Sequence, residues 1–364
     1  MIDIIIPAYN AHDTIHSTLS SIIMQRLASM VDVYIIDDCS ENGYDDIVKL
    51  YKSTGKIHSI NLFVNDKNMG PGYSRNRGIF ESKRLSNNPW IMFLDSDDTL
   101  YSPHSINQLL YYAKENPGCA LISMACLYES IPFDRDNIDK NISTYLNVDI
   151  VNCDRLTFHG KLYSRKRIES SGLFIPNTRS NEDVSFNMAY IALNKHRIIK
   201  MDDNTPVECI MMNPNSVTHS PNSTRSLNIK NFNHIWDWYN ANVSCIKQLL
   251  DICDKKNISL DKKELGLAYL DDLIYKYTLC YSPSKHLRDA DENEFMLQLF
   301  YKYYIDIIMS FINSSDIDRL IVTIGSETII ISDLVKNELA SSYNKESFEQ
   351  NIKKHITDKA YYSE

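Results

Sequence analysis

Three carboxylates fall within four residues at Asp95-Ser96-Asp97-Asp98, directly after the apolar run Trp90-Ile-Met-Phe-Leu94. Like charges this close repel one another, and a bound cation is a natural reason to gather them. Hard divalent ions such as Mn²⁺ or Mg²⁺ prefer oxygen ligands and keep positions open for phosphate oxygens. An ion held here could bridge a diphosphate and stabilise it as a leaving group. The plain alternative is a solvated acidic turn with Asp98 as a helix cap, and the position straight after a buried strand weighs against it. Two more acidic pairs stand out. Asp37-Asp38 closes the run Val31–Ile36, and Glu182-Asp183 sits in Arg179-Ser-Asn-Glu182-Asp183-Val-Ser-Phe186. A carboxylate within reach of a hydroxyl can take its proton; the last pair on its own also fits a helix N-terminus stabilised by its dipole.

These residues need a frame. Ile2–Ile6 reads as a buried strand, and Asp13 as the cap of a helix with Ile15, Leu19, Ile22 and Ile23 on one face. Val31–Ile36 is a second strand, Ile47, Val48 and Tyr51 suit a helix, and Ile57–Val64 is a third strand. Pro71 opens a helix, Trp90–Leu94 is the fourth strand, Pro103 opens another helix, and Ala120–Leu127 is a further strand. Strands separated by helices imply an α/β protein with parallel pairing. Ligands in such sheets bind at the carboxyl ends of the strands, so Tyr9-Asn10, Asp37-Asp38 and Asp95 to Asp98 are expected to meet in one crevice. Asp134 to Asp149 reads as a polar loop. From about Leu227 the pattern is mostly helical, and Ile321–Ile331 suits a hairpin around Gly325.

The 364 residues carry a formal net charge of −9, which opposes a global grip on nucleic acid. None of the eight cysteines falls in a CxxC pair, so a zinc site is not expected and reduced thiols in a cytoplasmic protein are. The first strand begins at once, without the basic-then-apolar pattern of a secretory leader. No apolar run reaches the roughly 20 residues that span a bilayer, which leaves peripheral membrane contact open.

Segments in order over residues 1 to about 220 resemble family-2 glycosyltransferases of the GT-A fold. They are Pro7-Ala8-Tyr9-Asn10, Asp37-Asp38-Cys-Ser40, Asn68-Met-Gly70 through Arg75-Asn76-Arg-Gly78, Asp95-Ser96-Asp97-Asp98, His159-Gly-Lys161-Leu-Tyr163-Ser-Arg165, Phe174-Ile-Pro176 with Asn181-Glu182-Asp183, and Asn213-Pro-Asn-Ser216-Val-Thr-His219. The resemblance implies a GT-A domain over 1–224 with a Rossmann-like, mostly parallel sheet, and an inverting transferase using a UDP-sugar with Mn²⁺ or Mg²⁺. It implies that Pro7, Ala8 and Tyr9 line the nucleotide base and that Asp38 hydrogen-bonds it, with Asn10, Asp37, Asp95 and Ser96 in the same donor site. Gly70 would let the backbone approach phosphate, Arg75 would touch the ligand, and Asn76 would be structural. Asp95, Asp97 and Asp98 would hold the metal, with His219 as an additional ligand. Asp183 would be the base, with Glu182 shaping the site. Lys161 and Arg165 would neutralise diphosphate or bind an anionic acceptor, or be surface charges.

The acceptor implied is a saccharide or glycan. The Gly70-Pro71-Gly72 variant and the Asn/Ile/Lys/Tyr-rich composition are also similar to bacteriophage-encoded members, one of which could act on a modified base in DNA; the net charge opposes this. Asp95-Ser-Asp97-Asp-Thr99 also resembles the motif that opens haloacid-dehalogenase-type phosphatase sites, although those carry it on their first strand. The mainly helical 225–364 region resembles nothing recognised and is expected to serve acceptor binding, oligomerisation or docking.

Overall fold

The structure, a computed structural model, describes residues 1–128, 156–178, 180–201, 206–211, 230–281, 311, 321–324 and 327–330. The strands β1 (Ile2–Ala8) and β2 (Val31–Asp37) are buried along almost their whole length, as strands covered on both faces must be. β1 pairs in parallel with β2 on one side and with β4 (Trp90–Phe93) on the other, and β2 pairs in parallel with β3 (Ser59–Val64). Beyond β4 lie β8 (Lys161–Ser164), β6 (Leu121–Ser123) and β9 (Ile198–Lys200), giving the order β3-β2-β1-β4-β8-β6-β9. β8 runs against both of its neighbours, while β6 and β9 are parallel. The sheet is therefore mostly parallel, as the alternation of apolar runs predicts.

Helices α1 (Ile15–Ile23), α2 (Asp45–Ser53), α3 (Pro71–Leu85) and α4 (Ser105–Glu115) connect the early strands. They are followed by α5 (Arg165–Ser171) and α6 (Glu182–Asn194). Apolar side chains of β1, β2, α1 and α4 share one core cluster, including Ile4, Ile6, Val33, Ile35, Leu19, Ile22, Ile106 and Leu109. α3 packs differently. Its buried face is Gly72, Ser74, Arg75, Gly78 and Ser82. A Cβ on Gly78 would stand 2.3 Å from Cγ2 of Ile5, and one on Gly72 would stand 1.9 Å from the Pro176 carbonyl oxygen. Small residues thus let this helix lie close against the sheet and bring Arg75 within reach of its carboxyl edge.

Several boundaries differ from the sequence reading. Asp13 does not cap α1: the residue before the helix is Thr14, whose hydroxyl donates to the Ala11 carbonyl at 3.3 Å. The helix expected to open at Pro103 begins at Ser105, because the Pro103 carbonyl accepts the Arg26 N–H at 2.9 Å. The single run Ala120–Leu127 forms two strands. Its first half is β6. Its second half, β7 (Cys126–Tyr128), joins β5 (Thr99–Leu100) and β10 (Glu208–Ile210) in a small sheet of order β5-β10-β7. The break falls where Gly160 crosses: its carbonyl accepts the Met124 N–H at 3.0 Å, and a Cβ on it would lie 2.4 Å from the Met124 oxygen.

The chain divides into two compact units. The first comprises 1–142, 153–220 and 240–260, so that α7 (Lys230–Lys256) contributes its residues from Asn240 onward. Within this unit Asn242 accepts the Ser185 hydroxyl at 2.6 Å, and the side-chain oxygen of Gln248 accepts the Phe174 N–H at 2.8 Å. The second unit contains α8 (Lys262–Tyr281) and a hairpin of β11 (Ile321–Ile324) and β12 (Glu327–Ile330), with Tyr269 stacked on Phe311. The helical and hairpin readings agree with this where residues are described. The loop read over Asp134–Asp149 and most of the chain after Tyr281 lie outside the described residues. Among the described residues, no helix is long and apolar enough to cross a membrane.

Arg165 anchors the edge of the sheet opposite the expected crevice. It is buried, pairs with Asp3, and donates to the Ser82 hydroxyl at 2.8 Å and to the Asn88 carbonyl at 2.6 Å. Asn88 bridges Asp3 and Asp32 at 2.7 Å each. This corrects the reading of Arg165 as a phosphate-binding or surface charge: its partner lies 162 residues earlier. Removing one member of a buried ion pair strands the other. Arg165→Leu is therefore expected to lower the unfolding free energy by roughly 3–5 kcal/mol in a urea titration. Asp3→Leu combined with Arg165→Leu is expected to recover part of that loss, since no charge is then buried alone.

Candidate functional site

The loops after β1 and β2 lock onto each other. Asn10 and Cys39 both take the left-handed conformation, with φ of 49° and 66°. The Asn10 N–H donates to the Ser40 hydroxyl at 2.9 Å, and the Asn10 side chain accepts the Glu41 N–H at 3.0 Å. Asn is one of the few side chains that tolerates this backbone region. Asp37 is buried and accepts the Ser40 N–H at 2.9 Å. Pro7 and Ala8 end β1, with Ala8 buried, whereas the Tyr9 ring is 47% exposed and available for stacking.

Asp38 holds the next loop. Its Oδ1 accepts the side-chain N–H of Asn65 at 2.6 Å and the Met69 N–H at 2.9 Å, and its Oδ2 accepts the Gly70 N–H at 2.7 Å. A carboxylate has about four acceptor positions, so one remains on Oδ2. Gly70, at φ 87°, ends that loop and precedes Pro71 at the start of α3. Asn76 on α3 clasps residue 175 from both sides, donating to its carbonyl at 2.8 Å and accepting its N–H at 3.0 Å. It is structural, as expected, and fixes the strand of chain that leads to α6.

Arg75 is the centre of the site. It is buried, with one terminal nitrogen 2.7 Å from Asp95 Oδ1 and the other 2.7 Å from Glu182 Oε1. Its guanidinium lies 4.8 Å from the Phe158 ring centroid, a cation–π contact. Phe158 belongs to an aromatic group with Phe93, Tyr163, Phe186 and Tyr190. Burial opposes the charge on Asp95, but Arg75 and then His159 outweigh it and hold the carboxyl far below its usual range. Glu182 is raised to about 7 by burial, against the pull of Arg75. Asp183 is half-buried and also raised by burial, with one oxygen accepting the Val184 N–H at 2.7 Å. Both acids occupy the first turn of α6, behind Asn181 at φ 65°.

A metal-competent cluster forms beside this pair. Asp95, Asp98 and His159 bring one donor atom each within 4.8 Å of one another. His159 Nε2 lies 3.3 Å from Asp98 Oδ2 and 3.7 Å from Asp95 Oδ2. Burial disfavours a charged imidazole, but these two carboxylates, with Glu208 behind them, keep its pKa well above the ordinary value. Two carboxylates and an imidazole suit Mn²⁺, which accepts oxygen and nitrogen, better than Mg²⁺. Asp98 is tied down by the Met211 N–H at 2.9 Å. Glu208 is fully buried and accepts the Gly160 N–H at 2.6 Å. Burial raises it to about 8, against the effect of His159. Its Oε1 and the Nδ1 of His159 are both buried without a hydrogen-bond partner.

The structure brings Asp95, Asp98, Arg75, Glu182 and Asp183 together. Asp97 and Ser96 are half-buried in the same turn but outside the cluster of three, with the Ser96 carbonyl accepting the Thr18 hydroxyl at 3.0 Å. Lys161 is fully buried in β8, 3.4 Å from the His159 carbonyl, which places it behind the site and not on the surface. His219 lies outside the described residues. Sequence reasoning gave no role to His159 or Glu208. The signal for Glu208 was a lone acid inside the apolar stretch Val207–Met211.

A mostly parallel sheet with an acidic carboxyl edge defines an α/β protein whose ligand crevice lies at that edge. Residues 3–171 match the model of glycosyl transferase family 2, and over that stretch the chain is a family 2 glycosyltransferase domain. It is similar to poly(ribitol-phosphate) beta-N-acetylglucosaminyltransferase TarP of Staphylococcus aureus, 26% identical over 213 residues, 55% of this chain and 60% of that one. It is also similar to the putative teichuronic acid biosynthesis glycosyltransferase TuaG of Bacillus subtilis, 27% identical over 187 residues, 51% of this chain and 69% of that one. A match to an uncharacterized glycosyltransferase of Haemophilus influenzae, 26% identical, covers 38% of this chain and 46% of that one. The matched stretches thus span about half to two-thirds of these relatives. The fold is that of S. aureus TarS residues 1–349, solved with UDP-GlcNAc. The TM-score is 0.62 at 16% identity, covering 86% of this chain and 84% of that one. The fold is GT-A. The phosphatase reading of Asp95 to Thr99 falls with it, since the motif follows the fourth strand of this sheet and not the first.

A carboxylate that supports a metal-bound histidine is worth about 10- to 100-fold in metal affinity. Glu208 acts on His159 through charge and not through a hydrogen bond, so Glu208→Ala is expected to weaken Mn²⁺ binding by the lower end of that range, about 10-fold, in isothermal titration. Unchanged affinity would mean that Glu208 serves only the Gly160 turn.

Proposed function

We propose that this chain is an inverting glycosyltransferase that takes a sugar from a UDP-sugar, with Mn²⁺ or Mg²⁺, and passes it to a hydroxyl of a saccharide. The observation that carries this reading is the double ion pair of Arg75, which draws the acidic end of β4 and the Glu182-Asp183 turn to one point. A donor-diphosphate site and a base are then neighbours. Tyr9 offers a face for the nucleotide base, and the open position on Asp38 suits a ring N–H. Asp95, Asp98 and His159 would hold the ion, with Asp97 in the same turn as a further carboxylate. When bound, the ion supplies positive charge to the departing diphosphate.

Asp183 takes the proton of the acceptor hydroxyl as that oxygen attacks the anomeric carbon. The bond from that carbon to the diphosphate oxygen breaks, UDP leaves with the electron pair, and the configuration inverts. Glu182, committed to Arg75, positions the turn. The acceptor is assigned as a glycan and not DNA, on the net charge of −9 and on the poly(ribitol-phosphate) and teichuronic acid that the names of TarP and TuaG carry. Residues 1–224 would form the transferase part, and 225–364 would serve the acceptor or assembly.

Asp183→Asn is expected to lower transfer at least about 100-fold while keeping the thermal shift produced by UDP with Mn²⁺. Full activity in that variant would remove Asp183 as the base. A UDP shift that does not depend on the ion would remove the metal from the donor site.

A further inference from the structure

Asparagine is a poor residue for a helix interior, because its amide competes for backbone groups. α6 nevertheless carries Asn187 in its middle, fully buried. A buried amide needs partners for two N–H groups and one oxygen, and here all three are met. Nδ2 donates to the Leu156 carbonyl at 2.9 Å and to the Thr157 carbonyl at 3.1 Å. Oδ1 accepts the Tyr163 hydroxyl at 2.7 Å. Carbonyls only accept, so the amide cannot sit the other way round. None of these three partners belongs to α6. The side chain joins the helix to the segment that runs through Phe158 and His159 into β8.

The two carbonyls immediately precede residues of the acidic edge. Phe158 lies against the Arg75 guanidinium, and His159 faces Asp95 and Asp98. On the far side of His159, Gly160 is fixed by Glu208 and by Met124. The imidazole thus stands between two anchors in sequence, and Asn187 is the earlier one. Packing of Phe158 against Phe93 and Phe186 is non-directional, whereas hydrogen bonds to the carbonyls set how the turn faces. The helix adds a second constraint. Asn187 follows Asp183 by four residues, so the two lie on one face of α6, about 6 Å apart along its axis. Glu182, in the same first turn as Asp183, is paired with Arg75. One helix therefore carries the acidic turn at its start and the clamp on the His159 segment one turn further on.

We infer that Asn187 is a positioning residue. It sets the turn that presents His159 to the ion and Phe158 to Arg75, at a spacing from Asp183 fixed by one turn of α6. The inference rests on the transferase reading and its bound ion. The test is a Mn²⁺ titration of the full chain, with the free ion followed by electron paramagnetic resonance, for wild type, Asn187→Ala, Tyr163→Phe and Asn194→Ala. Asn194 is the control: it is buried on the same helix, and its amide donates to the Tyr190 carbonyl of that helix at 2.9 Å. Asn187→Ala is expected to raise the Kd about 10-fold at unchanged stoichiometry, with transfer at saturating Mn²⁺ returning to within about 3-fold of wild type. Tyr163→Phe, which takes away a single oxygen, is expected to raise the Kd about 3-fold, and it decides the matter if Asn187→Ala does not fold. Asn194→Ala is expected to keep the wild-type Kd. A purely structural role lowers the fraction of chain that binds and leaves the Kd alone. Reduced stoichiometry at the wild-type Kd overturns the inference, as does an equal loss of affinity in Asn194→Ala. Wild type that binds no Mn²⁺ strikes the ion of the transferase reading and this inference with it; wild-type binding with an unaltered Kd in Asn187→Ala and Tyr163→Phe strikes the inference alone.

Discussion

Everything at the acidic edge of the sheet is organised by one guanidinium. Asp95, Asp98, Glu182, Asp183 and Glu208 would repel one another in a half-dry space, and burial alone raises the last four of these acids. Arg75 spends its two terminal nitrogens on carboxylates 87 residues apart in sequence, Asp95 and Glu182. Arginine suits this position because its planar fork can serve two acceptors while its face rests on an aromatic ring, here Phe158. Its reach depends in turn on Gly78, which lets α3 lie against Ile5 of the sheet, and on Gly72, which lets the Pro176 carbonyl come close to the same helix. His159 adds a second cation, between Asp95 and Asp98.

The other carboxylates of the sheet show how the same chemical group is put to different use by its surroundings. Asp37 and Asp38 look alike in sequence, but the first fastens its own turn and the second fastens the loop that starts α3. Asp3 and Asp32 are buried at the opposite edge, where Arg165 and Asn88 meet their hydrogen-bonding needs. An acid at a strand end is therefore not by itself a ligand for anything; what its oxygens already accept decides that.

Much of this arrangement was legible in the chain. The four leading strands stand out because each is a short apolar run that ends in polar residues, and parallel order then forces those ends together. The acidic turn after β4 was readable as a candidate site on the same grounds, whereas the Glu182-Asp183 turn by itself fitted a helix N-terminus and was singled out only by the family resemblance. What stayed hidden depends on contacts between distant residues. Ala120–Leu127 holds Ser123 but no Gly, Pro or charge to mark a break, and the approach of Gly160 divides it into β6 and β7. Arg165 follows a strand like any surface charge, and its burial becomes visible only with Asp3 beside it. His159 and Glu208 are 49 positions apart, and neither carries a local pattern that points to the other.

The reversed direction of β8 has a consequence for how this domain tolerates change. Because β8 runs against its neighbours, its beginning faces the carboxyl edge and its end faces the amino edge. His159 enters from one side and Arg165 leaves on the other, across a strand of four residues. Loss or gain of a single residue there would shift the chain by about 3.3 Å and turn every side chain to the wrong face. Leu162 and Tyr163 would exchange places, and the imidazole and the anchoring arginine could not both be in register. Insertions and deletions are thus excluded from this short span more strictly than its plain sequence suggests, since one strand sets the spacing between a reactive edge and a foundation.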